Sequence, residues 1–187
     1  EIIVCPQAPS GEKIAWKCKN ASVFAQASDA GKLGQSTGAV TPEAVKAAGC
    51  SGTLVNHSER RVSAAQVKEV VARSGKIGLS VCVCAASVEE GITFSGFSPW
   101  AVGVEPPELI GSGISVSTSK PELVSRSVKE IRAANPKSLV LVGAGVSTAD
   151  DVAKCVELGA DGVLLASAYV KAKDPEALLK EMVAQLK

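Results

Sequence analysis

His57 is the only histidine in the chain, and it stands in the run Asn56, His57, Ser58, Glu59 directly after the apolar stretch Thr53–Val55. A histidine at the point where a strand hands over to a helix faces the positive end of that helix, which favours the uncharged ring. A neutral imidazole donates a hydrogen bond to a carbonyl oxygen and so acts as an electrophile. Alone, one histidine is more often structural than catalytic. Glu105 follows the apolar run Val102, Gly103, Val104. A carboxylate at the end of a buried strand is costly unless it is partnered or functional, the plain alternative being a salt-bridged residue at the rim. Pro106 and Pro107 come next and cannot continue a ladder. Gly111, Ser112 and Gly113 then supply supple backbone, and a stiff start before a glycine-rich stretch suits a lid that closes as a unit. Gly143, Ala144 and Gly145, with Leu165, Ala166 and Ser167, have the small residues that let backbone N–H groups approach an anion, although they also suit simple turns.

These residues need strands to end beside them. Ile2–Cys5, Val23–Gln26, Thr53–Asn56, Leu79–Cys84, Trp100–Val104, Leu139–Val142 and Val163–Ala166 read as strands. They show little polar alternation, which suits strands buried on both faces of a parallel sheet. Helix signals lie between them. Thr41 caps a helix that has Pro42 in its first turn; Ser63 with Gln66 and Ser119 with Glu122 fit capping boxes. The helix after Ser119 carries Leu123, Val124, Val128 and Ile131 on one side and ends near Asn135 and Pro136. Ser147–Asp150 opens a further helix that Gly159 stops, and Asp174 with Pro175 opens the last. The pattern is βα repeated seven times without a shift in composition, so residues 1–187 are expected to form one α/β domain, either doubly wound or closed as a barrel. In a parallel barrel, reactive groups gather at the C-terminal ends of the strands, where His57 and Glu105 fall. No G-x-G-x-x-G fingerprint follows the first strand, so a dinucleotide site has no support.

Composition removes several classes of function. The 187 residues are 46% hydrophobic and 3% aromatic, so the core is aliphatic, and a net charge of +1 with this hydrophobicity excludes a disordered chain. The 20 Lys and Arg residues form no basic block, which argues against nucleic-acid binding. No apolar run reaches the roughly 18–20 residues of a membrane span. Cys5, Cys18, Cys50, Cys82, Cys84 and Cys155 follow no metal or redox spacing and read as reduced thiols of a cytoplasmic protein without a metal site. The chain opens on Glu1 rather than Met, which points to processing or a boundary upstream.

Several of these runs together resemble the triosephosphate isomerase family. Gly52–Arg61 resembles its active-site histidine segment, and Val102–Gly113 its catalytic glutamate and lid in the short form of the archaeal branch. Val142–Ser147 and Gly162–Ala168 resemble its two phosphate loops, and Gln26–Glu43 the loop that protrudes into a neighbouring subunit. The resemblance covers the whole chain. It implies a TIM (β/α)8 barrel and, without metal or organic cofactor, the interconversion of dihydroxyacetone phosphate and glyceraldehyde 3-phosphate in glycolysis and gluconeogenesis. Glu105 would be the base and His57 the neutral electrophile, the established pattern of this family rather than a deduction from spacing. Glu59 would support the histidine. Ile110 and Gly111 would meet substrate from the lid, and Gly145, Ala166 and Ser167 would hold its phosphate. A homo-oligomer, dimer or tetramer, would form through the loop Ala27–Thr41.

One departure stands out. The family's first strand ends in an Asn and a Lys that enter the active site, whereas Glu1–Pro6 resembles the second strand. The first βα unit, on the order of 35–40 residues, is therefore expected to be missing. Lys13, Lys17 and Lys19 fall in a helix-like stretch and do not replace that lysine. Loss of one such charge stabiliser costs about a hundredfold to a thousandfold in rate. The alternatives to an active isomerase are an inactive barrel that still binds phosphate or its own subunits, and another phosphate-binding barrel enzyme.

Overall fold

The computed structural model describes residues 1–107, 115 and 119–186. Seven strands alternate with helices along them: β1 (Ile3–Val4), α1 (Ala8–Lys17), β2 (Ser22–Ala25), α2 (Pro42–Ala47), β3 (Gly52–Val55), α3 (Ala64–Lys76), β4 (Ser80–Ala85), α4 (Val88–Ser95), β5 (Ala101–Val104), α5 (Pro121–Ala134), β6 (Leu139–Val142), α6 (Ala149–Glu157), β7 (Gly162–Val163), α7 (Ser167–Val170) and α8 (Pro175–Val183). The chain packs as two compact units, Glu1–Val83 with Phe97–Trp100, and Cys84–Gly96 with Ala101–Lys187.

In the first unit β1, β2, β3 and β4 pair in chain order, all parallel, with Val4 beside Val23, Ala25 beside Thr53 and Val55 beside Val83. Parallel neighbours require a crossover, and each helix supplies one. The core gathers Val23, Val45, Cys50 and Leu79, with Val4, Ile14 and Ile77 packed against it. Gly52 opens β3 because the Phe24 ring lies over it: a Cβ there would sit 2.4 Å from the ring. That ring meets Trp100 edge-on at 5.5 Å between centroids. The Thr41 hydroxyl accepts the Ala44 N–H, and Ser63 with Gln66 forms the expected capping box of α3.

In the second unit β5, β6 and β7 pair in parallel, with Val104 beside Val142 and Val142 beside Val163. Val102, Val140, Val152 and Ile131 are fully buried. Gly91 of α4 lets Ile131 of α5 approach; a Cβ there would lie 2.7 Å from the Ile131 methyl. Asp174 caps α8, and Gly159 follows α6 at φ +94°.

Two local expectations change. Ser119 does not cap α5. Its hydroxyl donates back to the Ser115 carbonyl at 2.6 Å, and Lys120 occupies the cap with Pro121 supplying the first turn, where a missing N–H costs nothing. The helix after β6 is capped by Thr148, within the expected run, in a box with Asp151. The last strand is also shorter than its apolar run, because Leu164 and Leu165 leave the ladder after one bond, Leu164 N–H to Val142 O at 2.8 Å. The Ala27–Thr41 loop is closed at its neck. Asp29 N–H donates to Val40 O at 2.7 Å, and Val40 N–H returns to the Asp29 carboxylate at 2.8 Å. Arg73 of α3 holds this loop by its Gly31 carbonyl and pairs with Glu43 at 2.7 Å. Leu33 is exposed in this loop.

Candidate active site

His57 follows β3 in the first unit. The chain turns at Asn56, which has φ +64°, and the imidazole stands about one-third exposed. Its Nδ1 accepts the backbone N–H of Glu59 at 3.3 Å, and its carbonyl accepts the Arg60 N–H at 2.8 Å. An amide N–H can only donate, so Nδ1 is the unprotonated nitrogen and Nε2 carries the proton in the neutral ring. The Glu59 carboxylate lies 3.7 Å from Nδ1 and is 88% exposed, beyond hydrogen-bond reach and well hydrated. Glu59 therefore meets the imidazole chiefly through its backbone.

The second unit carries Glu105. Three bonds climb its strand ends in succession: Glu105 N–H to Ala85 O, Gly143 N–H to Val104 O and Leu164 N–H to Val142 O. They bring Glu105, the Gly143–Ser147 turn and the Leu165–Ser167 turn to one end of that unit, the C-terminal end of its strands. Glu105 is 4% exposed. Its side chain lies over Gly143: a Cβ added there would come within 2.4 Å of Cγ and 2.8 Å of Oε1. Only glycine leaves that seat open. Gly145 takes φ +68°, a left-handed turn that glycine adopts without strain. Ala166 and Ser167 are exposed where α7 begins. Just before α6, the Asp151 carboxylate accepts the N–H groups of Ser147 and Thr148 at 2.9 Å each. These contacts, with hydrogen bonds from Thr148 and Ser115, hold the Asp151 carboxyl below its usual range although burial opposes them. Ile110 and Gly111 lie outside the described residues. The contact between Gly143 and Glu105 and the left-handed turn at Asn56 are missed by sequence reasoning, although a glycine directly after an apolar strand and an asparagine before the lone histidine are visible signals.

The profile of the triosephosphate isomerase family matches residues 1–183. This chain belongs to the triosephosphate isomerase family. The triosephosphate isomerase of Methanobacterium bryantii is 43% identical over 185 residues, which make up 99% of this chain and 81% of that protein. That of Saccharolobus solfataricus is 45% identical over 161 residues, 86% of this chain and 70% of that protein. That of Methanopyrus kandleri is 47% identical over 165 residues, 88% of this chain and 73% of that protein. As a triosephosphate isomerase family member the chain is an isomerase of the TIM-barrel fold class, and its described residues carry seven strand–helix units of that fold. No helix among the described residues is long and apolar enough to cross a membrane.

Proposed function

We propose that this chain interconverts dihydroxyacetone phosphate and D-glyceraldehyde 3-phosphate, as residues 1–187 of one barrel domain in the cytoplasm, with Glu105 as base and His57 as neutral electrophile. Glu105 takes a proton from C1 of the ketose, and the electron pair moves into an enediolate. The Nε2–H of His57 donates to the carbonyl oxygen as it gains charge, then to the neighbouring oxygen as the proton returns at C2. No electrons leave the substrate, so no redox partner is required. This division of labour is the family's established one. The observation that carries the reading is the imidazole: the Glu59 amide on Nδ1 commits Nε2 to donate. A ring with a fixed donor stabilises developing negative charge without reorganising.

Gly145, Ala166 and Ser167 would bind the phosphate, with Ile110 and Gly111 closing over it from the lid. The exposed Leu33 in a loop braced at its neck supports homo-oligomer formation through Ala27–Thr41.

A second reading, a phosphate-binding barrel without turnover, is favoured by one observation. Lys13 and Lys17 lie within α1, away from the strand ends, so neither supplies the family's active-site cation. A coupled assay on the 187-residue chain decides between them. Turnover far above the uncatalysed rate supports the isomerase. A well-folded sample that binds a phosphoglycolate-like mimic without turnover supports the second reading.

A further inference from the structure

We propose that Asn56 is a positioning residue for His57: its side chain closes the 57–61 loop and so keeps the Glu59 amide on the imidazole. Asn56 sits at φ +64° and is 3% exposed. Glycine would adopt that left-handed backbone at less cost, and asparagine is merely tolerated there. The reason for a side chain lies six residues on, where Asn56 Oδ1 accepts the Val62 N–H at 3.0 Å. Val62 precedes Ser63, the cap of α3. One bond therefore joins the end of β3 to the start of α3.

The five residues inside that ring carry the chemistry. The Arg60 N–H returns to the His57 carbonyl at 2.8 Å, and the Glu59 N–H reaches Nδ1 at 3.3 Å. The second bond is long, and the frame around it fixes it more than its own strength does. Arg60 also pairs with Asp29 at 2.7 Å, which braces the outer side of the loop against the neck of the 27–41 loop. If the clamp is opened, the Glu59 amide drifts from Nδ1 and the imidazole redistributes between its two tautomers.

The inference rests on the role given to His57 above, but its test does not require turnover. With a single histidine in the chain, nitrogen NMR of the imidazole reads His57 without assignment ambiguity. In the unaltered chain Nδ1 resonates as a pyridine-like nitrogen and Nε2 as a pyrrole-like one. Asn56→Gly keeps the backbone but removes the acceptor. The two signals then move towards each other, and exchange of the Val62 amide with solvent quickens by about tenfold, the scale of one hydrogen bond's net contribution. Asn56→Asp keeps an acceptor oxygen and restores both readouts. The proposal is overturned if the glycine variant leaves the imidazole nitrogens unchanged, or if the aspartate variant disturbs them as much as glycine does. It is equally overturned if the Val62 amide exchanges without protection in the unaltered chain, a measurement that needs no variant. Nitrogen signals that move in the glycine variant while turnover is kept would count against the reading of His57 as electrophile and not against the clamp.

Discussion

The Glu105 carboxyl occupies the space that a side chain at position 143 would fill, with Cγ 2.4 Å and Oε1 2.8 Å from where a Cβ of residue 143 would stand. The glycine does more than permit a turn. Its N–H donates to Val104 O at 2.9 Å, so the seat of the carboxyl is fixed to the strand that carries it. Gly143→Ala forces the carboxyl to move by the ångström or so that separates a tolerable contact from this one. A displacement of about 1 Å in a reacting group costs roughly a hundredfold in rate. The expected result is a fall in kcat of that order with KM little altered. An unchanged kcat in steady-state kinetics would show that the seat does not position the base.

Glu105→Asp tests the same carboxyl from the other side. The backbone bond to Ala85 and the seat at Gly143 remain, but the acid withdraws by one methylene. Proton transfer depends steeply on that distance, whereas phosphate binding does not involve this carboxyl. Turnover should fall by roughly a hundredfold while affinity for a phosphoglycolate-like mimic is kept. A variant with unchanged turnover removes Glu105 as base.

Asp161 is expected to matter for stability. Its Oδ2 accepts the Val140 N–H at 2.8 Å at the start of β6, and its Oδ1 accepts Arg132 at 2.6 Å. Val140 is fully buried, so Asp161→Ala leaves an amide there without its carboxylate. A buried donor deprived of its partner costs about 1–3 kcal/mol. Asp161→Asn keeps an acceptor for that amide and should lose less. Urea unfolding should show both midpoints lowered, alanine more than asparagine, with a similar slope. Equal midpoints for alanine and the unaltered chain would refute the assignment.

The architecture was legible because its signals are local. Unbroken apolar runs such as Leu139–Val142 fix strands within a residue or two, and Thr41 and Ser63 cap the helices their spacing announces. Ser119 misled because its hydroxyl had two acceptable uses: capping α5 or bonding the Ser115 carbonyl, and it took the second. The last strand is shorter than its apolar run, and Leu164 and Leu165 look the same in sequence whether or not they pair. His57 and Glu105 stand out in the sequence by their place after apolar strands. Gly143 and Asn56 acquire meaning only from atoms distant in sequence, the Glu105 carboxyl 38 positions before one and the Val62 amide six after the other. The lid residues Ile110 and Gly111 rest on the resemblance alone.

Cys5 gives the fold a dependence on alkaline pH. Burial, and after it the neighbouring Cys50 thiol, pushes the Cys5 thiol up to about 11, and burial raises Cys50 as well. The thiolate is the charged form, and the folded chain resists it. An unfolded thiol titrates near about 8.5. Below that value both states hold the proton, and the contribution to stability is complete. As pH rises from there through about 11, the unfolded chain loses its proton first, so unfolding releases protons and stability falls. Replacing the thiol by Cys5→Ser removes this part of the slope. Urea midpoints measured across the window for both chains should therefore converge at its upper end relative to their separation at neutral pH. A constant separation would mean that Cys5 ionises alike in the folded and unfolded chain.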